Sequence, residues 1–221
     1  MRVCISLLFL TLSIFSGTAQ ERVPHSRLFP PEDIGILEGP DRDAWQRPDE
    51  VMDALGITEG ATVADLGAGG GWFTIRLARR VGTNGIVYAQ DIQPPMIESI
   101  SRRVAREGLT NVRTILGTAQ DPKLPKKLDA VLIVGTYPEI SEPSTLLQHI
   151  LTSLNTNGRL GIVDFTLEGG GPAPPLEERV SHEIVISTAE KSGFKLLAHE
   201  QFLQYQYLLI FSPNGSTVSD K

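Results

Sequence analysis

The residues whose types and spacing could do chemistry lie in one glycine-rich segment. Asp65 is followed by four glycines within six residues. Glycine lets the backbone approach a ligand closely and tolerates positive φ, and a turn between a strand and a helix at the switch point of a parallel sheet is where nucleotides bind. The dinucleotide pattern G-x-G-x-x-G fails, because its third glycine would fall on Trp72 or Thr74. The segment therefore predicts a nucleotide site of another kind.

A second carboxylate follows the next predicted strand. Asp91 comes directly after the strand predicted over Ile86–Gln90 and lies 20 residues after Gly71. A carboxylate at this position can accept hydrogen bonds from both hydroxyls of a ribose. The alternative is that Asp91 only caps the following helix. The glycine segment and the spacing together favour the ribose role.

The pattern Asp65-x-Gly67-x-Gly69-x-Gly71 resembles the nucleotide loop of the class I S-adenosylmethionine-dependent methyltransferases, and the run from Asp91 to Met96 resembles their second strand-to-helix segment. The resemblance covers roughly residues 48–211. It implies S-adenosyl-L-methionine as the cofactor, with Asp65 near its amino-acid end. The cofactor-binding residues that it implies are Asp65, Gly67, Ala68, Gly69, Gly71, Asp91, Ile92, Thr118, Ala119 and Gly135.

Two positions depart from the pattern of that family. The family often has an acidic residue that contacts the adenine amino group, where this chain has Thr118. Adenine recognition then rests on backbone groups, on Thr118 or on the displaced Asp121. An asparagine is common in the family where this chain has Gly135.

The elements that position these residues alternate between strands and helices. This order predicts an α/β fold, a Rossmann-like, doubly wound, mostly parallel seven-stranded sheet. The last two β-rich runs, Phe194–Phe202 and Tyr205–Phe211, predict a C-terminal antiparallel hairpin. The other predicted strands are Thr62–Leu66, Ile86–Gln90, Val112–Leu116, Ala130–Val134 and Arg159–Asp164.

The sequence assigns no catalytic residue. Methyl transfer from a sulfonium is an in-line displacement that mainly requires alignment of the reactants. A base is needed only if the acceptor must lose a proton. The candidates for such a base are His149, Asp164, Tyr137 and His182, which is predicted near a helix start.

Composition limits the partners. A net charge of −6 and a pI near 5.3 argue against a nucleic-acid partner. Four scattered histidines offer no metal-ligand spacing, so no metal is expected. The motif Asn/Asp-Pro-Pro-Tyr of nucleobase methylation is absent. A small-molecule, quinone-like or peptide acceptor is therefore favoured, and the oligomeric state is left unassigned.

The N-terminal residues are typical of a secretory signal peptide. Arg2 precedes an uncharged, mostly apolar stretch that ends at the small residues Gly17 and Ala19. Cleavage after Ala19 would leave an exported protein, periplasmic or secreted, whereas an uncleaved leader would tether it to the membrane. Cys4, the single cysteine, lies inside this leader.

These patterns divide the chain into a signal peptide (1–19), an extended N-terminal arm (20–47), a methyltransferase domain (48–212) and a disordered tail (213–221). Within the arm, Trp45 and Gln46 resemble a segment that folds over the cofactor in related enzymes, or Trp45 seals the edge of the core. The loop 168–175 is either an acceptor-binding insertion or a flexible connector.

Two other functions stay open. S-adenosylmethionine is made in the cytosol, so an exported enzyme needs a supply. A catalytically inactive binding or sensing protein in the cell envelope is therefore the main alternative, and the departures at Thr118 and Gly135 fit it. A nicotinamide oxidoreductase is the weaker one, because both the failed dinucleotide pattern and the predicted hairpin oppose it.

Overall fold

The computed structural model describes residues 27–215. The predicted signal peptide, residues 20–26 of the predicted arm and residues 216–221 of the predicted tail lie outside the described residues. The strands are β1 Thr62–Leu66, β2 Ile86–Asp91, β3 Val112–Leu116, β4 Leu128–Val134, β5 Leu154–Phe165, β6 Phe194–Glu200 and β7 Gln206–Pro213.

These strands form one sheet in the order β3-β2-β1-β4-β5-β7-β6. Strands β1 to β5 pair in parallel, whereas β7 pairs antiparallel with both β5 and β6. The predicted fold class is confirmed, including the C-terminal antiparallel hairpin. The sheet order reverses at β1, which has β2 on one side and β4 on the other, and this is the switch point where ligands bind in open α/β sheets.

Helices cover both faces of the sheet. Residues of α2, α3 and α4 contribute to one buried apolar cluster, and residues of α5 and α6 contribute to the other. The central strands are apolar on both faces for this reason, as parallel strands usually are. The α-helices are α1 Arg42–Gln46, α2 Pro48–Ala54, α3 Trp72–Val81, α4 Pro94–Arg106, α5 Pro143–Ser153 and α6 His182–Lys191, and 3₁₀ helices span Pro31–Glu38, Tyr137–Glu139 and Leu176–Glu178.

The prediction of an extended arm is wrong for its described part. Pro31–Glu38 is a 3₁₀ helix and Arg42–Gln46 is α1. The prolines suggest an irregular segment, but Pro31 occupies the first turn, where the missing N–H costs nothing and the fixed φ suits a helix. The ends of β5 and β7 also differ from prediction. Strand β5 begins at Leu154, and β7 continues through Pro213, which the sequence patterns place in the tail.

One edge of the sheet gathers the polar residues of interest. The carboxyl ends of parallel β1, β2, β4 and β5 meet at this edge, and β7 begins there because it runs antiparallel. The described arm, residues 27–46, lies over the same edge. Side chains that are distant in sequence therefore face one cavity.

Candidate functional site

A cavity of about 1040 Å³ opens at this edge of the sheet. It is slightly larger than the range of about 300–1,000 Å³ that is usual for ligand sites. All of the predicted cofactor residues except Gly71 line it, namely Asp65, Gly67, Ala68, Gly69, Asp91, Ile92, Thr118, Ala119 and Gly135. The structure thus brings together residues that are spread over the β1–α3 and β2–α4 connections, the loop between β3 and β4, and the end of β4.

The glycine loop is held against the turn that follows β4. Gly67 has φ +70°, and a Cβ atom there would lie 2.3 Å from Cγ2 of Thr136. The Thr136 hydroxyl donates to the Gly67 carbonyl at 3.2 Å. Position 67 therefore requires glycine both for its backbone conformation and for this close approach. Gly71 instead precedes α3 with φ +79° and packs near Ile100, so it starts the helix rather than lining the cavity.

Asp91 connects the glycine loop to the start of α4. Its Oδ2 accepts the backbone N–H of Gly69 at 3.0 Å, and its Oδ1 accepts that of Gln93 at 2.9 Å. Burial raises the pKa of Asp91, and these amides oppose that rise. Each carboxylate oxygen has a second acceptor site, so Asp91 can still bind a pair of ligand hydroxyls.

Asp65 is a buried carboxylate at the end of β1, with only 2% of its surface exposed. The Thr74 hydroxyl donates to its Oδ2 at 2.6 Å. Burial raises the pKa of Asp65 to about 6, although the Thr74 hydroxyl and the Arg42 guanidinium both lower it. A cation in the cavity would favour the ionised form of this group.

Arg42 of α1 is a cavity residue that sequence reasoning missed. Its guanidinium carbon lies 4.3 Å from the centre of the Trp72 ring, and its Nε donates to Oε1 of Gln46 at 2.5 Å. Its Nη1 donates to the Leu37 carbonyl. Burial lowers the pKa of Arg42 to about 10, so it stays charged at neutral pH. Within residues 27–215, Nη2 has no hydrogen-bond partner and is available to a ligand.

The connection after β3 places Thr118 and Ala119 on the cavity wall. The Asp121 amide donates to the Thr118 hydroxyl at 3.0 Å, and the Thr118 amide donates to the Asp121 carbonyl at 2.8 Å. The Asp121 carboxylate accepts the Lys123 amide at 2.8 Å and is not part of the cavity wall. Of the three alternatives for adenine recognition, Thr118 and the backbone are the ones that the geometry offers.

Of the four candidate bases, Asp164 alone lines the cavity. His149 is half-exposed on α5, and the ring of His182 lies 4.5 Å from that of His199. Tyr137 is 1% exposed, and burial raises its pKa to about 12. These three residues do not reach the site.

Two buried polar side chains at the ends of β5 and β7 have an unpartnered atom among the described residues. Asp164 Oδ1 accepts the Phe165 amide at 2.8 Å, but Oδ2 has no hydrogen-bond partner. Gln206 Oε1 accepts from Gln46 Nε2 at 2.9 Å, but Gln206 Nε2 donates to none. Burial raises the pKa of Asp164 to about 7. Buried polar atoms of this kind are usually paired, so each needs an explanation.

Glu139 is a second cavity residue that sequence reasoning missed. Its Oε2 accepts the Phe29 amide at 3.2 Å, and the Phe29 carbonyl accepts from Gln93 Nε2 at 3.0 Å, so the arm crosses the cavity between them. Burial raises the pKa of Glu139 to about 7, and the charges of Asp91 and Glu178 raise it further. Glu139 therefore lies among other carboxylates.

Aromatic and proline side chains form another part of the cavity wall. The rings of Trp45 and Phe165 lie 6.0 Å apart, and both residues line the cavity. Tyr205 packs against the same Trp45 ring at 6.4 Å. Pro172 and Pro174 bring the loop 168–175 to the cavity. Trp45 and part of the loop 168–175 thus line the cavity.

The cavity wall is strongly acidic. Two guanidinium groups, those of Arg27 and Arg42, face nine carboxylate side chains. The nine acidic residues are Glu32, Asp33, Glu38, Asp41, Asp65, Asp91, Glu139, Asp164 and Glu178. In the part of the chain that the structure describes, no group of three or more His, Cys, Asp or Glu residues is placed to hold a metal ion, and no helix there has both the length and the apolarity to cross a membrane.

Comparison with known proteins relates this geometry to a family. Residues 57–204 match the family described as a methyltransferase domain. Aklanonic acid methyltransferase DauC of Streptomyces sp. (strain C5) is 29% identical over 113 residues, which cover 50% of this chain and 51% of that protein. The protein-L-isoaspartate O-methyltransferase of Pyrococcus horikoshii is 31% identical over 94 residues, 42% of each chain.

A solved structure of a SAM-dependent methyltransferase from Aquifex aeolicus has a TM-score of 0.80 and 29% identity, and the match covers 83% of this chain and 98% of that one. The chain spans only about half the length of the two curated relatives. The domain match nevertheless extends from β1 through the start of the terminal hairpin. The chain therefore belongs to the class I S-adenosylmethionine-dependent methyltransferase family.

Proposed function

We propose that this protein transfers a methyl group from S-adenosylmethionine to a small-molecule, quinone-like or peptide acceptor that is bound in the same cavity. The observation that carries the proposal is the convergence of the glycine loop, Asp65 and Asp91 on one cavity in a chain of this family. The named relatives differ in acceptor, one acting on aklanonic acid and the other on isoaspartate in protein. They support the reaction without fixing the acceptor.

The residues present fit this cofactor. Gly135 has φ +62° beside the cavity, and a Cβ there would meet no atom within 4 Å, so the wall leaves space at the end of β4. Asp91 offers two acceptor sites for ribose hydroxyls. The methionine end of the cofactor carries an ammonium and a carboxylate, which Asp65 and Arg42 complement in charge.

When bound, the cofactor supplies an electrophilic methyl group on a positively charged sulfur. The protein's part is to bind and orient. Asp91 and the glycine loop would hold the nucleoside, and Asp65 and Arg42 would hold the amino-acid end. The described arm crosses the cavity at Phe29, where it is held by Glu139 and Gln93. Alignment of the acceptor then contributes most of the rate enhancement.

Calorimetry of the full chain with S-adenosylmethionine and S-adenosylhomocysteine tests the proposal. We expect Asp91→Asn to weaken both ligands by about tenfold or more, because a charge-assisted hydrogen bond is worth roughly 1.5–3 kcal/mol. Asp53→Asn is the matched control, since Asp53 is exposed and paired with Arg80. Equal affinities of the parent and Asp91→Asn would contradict the assignment, and binding without transfer to any acceptor would favour the inactive sensor.

We further propose that the protein acts outside the cytosol, either exported or tethered. The support is the leader-like composition of residues 1–19 alone. N-terminal sequencing of the protein recovered from the envelope or the medium tests this. A start at Gln20 supports cleavage, and recovery from the cytosol alone contradicts export.

A further inference from the structure

The part of the cavity beyond the glycine loop is lined by acidic side chains that the proposed cofactor contacts do not account for. Val134 of β4 pairs with Val163 of β5, so Asp164 lies level with Gly135, one strand farther from the cofactor loop. Glu139 and Glu178 also line the cavity, and both Glu178 and Asp164 lie close enough to Glu139 to interact with its charge. This group of three carboxylates is called the acidic triplet below.

No cation of the described chain neutralises the acidic triplet. The two arginines of the cavity wall lie in the arm, where Arg42 is engaged near Asp65 and Trp72. Arg179 follows Glu178 in sequence, but its guanidinium donates to the carbonyls of Pro174 and Thr166, at 2.8 and 3.0 Å. Burial therefore keeps Glu139 and Asp164 partly protonated near neutral pH, whereas Glu178 is exposed to solvent. A cationic ligand would favour the ionised form of the two buried groups.

A second observation points to a ligand at the same place. Asp164 is 1% exposed, and its Oδ2 has no hydrogen-bond partner among residues 27–215, although the nearby Tyr137 amide lowers the pKa of this carboxyl. Glu139 uses Oε2 for the Phe29 amide, which leaves Oε1 without a hydrogen-bond partner from the described chain, in a residue that lines the cavity. Both of these open atoms are carboxylate oxygens, which are acceptors, so a ligand that pairs with them must donate hydrogen bonds. The unpartnered Nε2 of Gln206 on the same cavity wall is a donor and would take an acceptor atom of the ligand.

The apolar part of the wall fits the same ligand. Trp45 and Phe165 line the same cavity as the triplet. Aromatic faces attract organic cations, and carboxylates next to them add to this attraction. An anionic acceptor would be repelled by the triplet, and a neutral one would leave its charge uncompensated.

We propose that the methyl acceptor is an aliphatic amine, protonated in solution, whose ammonium group is bound by the acidic triplet and deprotonated by Glu139. The inference rests on the proposed function and specifies its acceptor. A small amine and the amine of a peptide share this chemistry. The other two carboxylates of the triplet, those of Asp164 and Glu178, stabilise the positive charge.

Glu139 acts first, by removing a proton from the bound ammonium. One N–H proton passes to Oε1 of Glu139, which leaves a lone pair on the nitrogen. That nitrogen forms a bond to the methyl carbon as the carbon–sulfur bond breaks, and the electron pair of the broken bond stays on sulfur. The products are a methylated ammonium and S-adenosylhomocysteine, and Glu139 returns its proton to solvent.

The protonation behaviour of the triplet supports this role. Burial raises the pKa values of both Glu139 and Asp164 to about 7. The groups that face Glu139 are Asp91, Asp164 and Glu178, all of them acidic, and Tyr137 lies on the same 3₁₀ helix. A bound ammonium favours the ionised carboxylates and so releases protons at neutral pH. A neutral ligand releases none.

Calorimetry with three probes of one shape but different charge tests the proposal. The probes are 2-phenylethylamine, 2-phenylethanol and 3-phenylpropionate, each titrated into the full chain with S-adenosylhomocysteine bound. We expect the amine to bind at least about tenfold more tightly than the alcohol. Repetition in buffers of different ionisation enthalpy should show proton release with the amine at pH 7 and much less at pH 9.

Variants assign the effect to the triplet. Glu139→Gln should reduce both the proton release and the preference for the amine, while the affinity for the alcohol stays unchanged. Glu178→Gln should reduce the preference alone. Glu190→Gln, an exposed position on α6 outside the cavity wall, should match the parent. Thermal denaturation of each variant confirms that it is folded.

The outcomes separate the two proposals. Failure of S-adenosylhomocysteine to bind contradicts the proposed function itself. Normal cofactor binding with equal responses to the three probes, including no response to any, overturns only the amine assignment. A lysine-containing peptide titrated in parallel distinguishes the two sources of the amine, because tighter binding of the peptide indicates a protein acceptor and tighter binding of 2-phenylethylamine a small molecule.

Discussion

At the scale of single residues, Gly67 shows how one position supports both the loop and the cavity. Its backbone has φ +70°, and its missing Cβ allows the Thr136 side chain to approach. A methyl group at this position would strain the backbone and also collide with Thr136. Glycine at position 67 therefore satisfies two needs at once, the backbone conformation of the loop and its packing against the turn after β4.

We predict that Gly67→Ala lowers the free energy of unfolding by about 2–4 kcal/mol and weakens S-adenosylhomocysteine binding. The control is Gly60→Ala, because Gly60 has φ +83° but a methyl group added there would have nothing within 4 Å. That variant should show only the backbone strain, about 1–2 kcal/mol. Chemical denaturation measures both.

The collision is tested separately by adding Thr136→Gly, which removes the atoms that the new methyl group would meet. The double variant should recover part of the cofactor affinity that Gly67→Ala loses. Similar stability losses for Gly67→Ala and Gly60→Ala, with no recovery in the double variant, would show that the approach of Thr136 is unimportant.

The residues of the site differ in whether the sequence alone could identify them. Asp65 and Asp91 are adjacent to their strands in sequence, so motif and spacing identify them. Arg42 and Glu139 reach the same cavity only through tertiary packing, Arg42 across the Trp72 ring and Glu139 through the turn after β4. The run from Arg42 to Gln46 is distinctive, but nothing local shows which wall it faces.

At the scale of elements, strand bounds were predicted correctly where clear turns flank a short strand. The bounds of β1 and β3 match the prediction, because each is a short run between clear turns. The prediction for the described arm was wrong because its two short helices have little apolar face of their own, and the longer one, Pro31–Glu38, buries no residue fully. Its conformation depends on contacts with the rest of the chain, such as the ion pairs Asp43–Arg76 and Glu38–Arg103.

The arm's contribution to cofactor binding is testable through Arg42. We predict that Arg42→Met weakens S-adenosylhomocysteine binding by about 10–100-fold, since a hydrogen bond to a charged group is worth roughly 1.5–3 kcal/mol. Binding of 5′-methylthioadenosine, which lacks the amino-acid end, should change little. Calorimetry with both ligands gives the comparison.

Arg79→Met is the matched control for Arg42→Met, because Arg79 is exposed and paired with Glu107 on the outer surface. It should bind both ligands as the parent does. An equal loss for the two ligands in Arg42→Met would mean that Arg42 only holds the arm in place and does not contact the carboxylate of the cofactor.

At the scale of the whole molecule, ionisable groups are distributed unevenly between the interior and the surface. Arginines of α3 pair with acids at the surface, as Arg80 does with Asp49 and Asp53. The cavity instead keeps buried acids, of which Asp65, Glu139 and Asp164 have raised pKa values. Buried acids of this kind lower the stability of the ligand-free protein, and the protein recovers that stability when a cation binds.

Asp164 contributes to this cost in the ligand-free protein, and its contribution depends on pH. An acid whose pKa is raised in the folded state binds its proton more tightly there than in the unfolded chain, so folding is favoured at low pH and loses that advantage as pH rises. For Asp164 the pKa rises from 3.8 to about 7, so the loss develops between about pH 4 and 7.

Asp164→Asn should remove this pH dependence, because the amide cannot ionise while its carbonyl can still accept the Phe165 amide. The free energy of unfolding of this variant, relative to the parent, should therefore increase across that window by a few kcal/mol, on the order of 1.4 kcal/mol per pKa unit. Urea denaturation at a series of pH values measures the difference, with Asp129→Asn as an exposed control. A difference that stays constant with pH would show that the pKa of Asp164 is the same in the folded and unfolded protein.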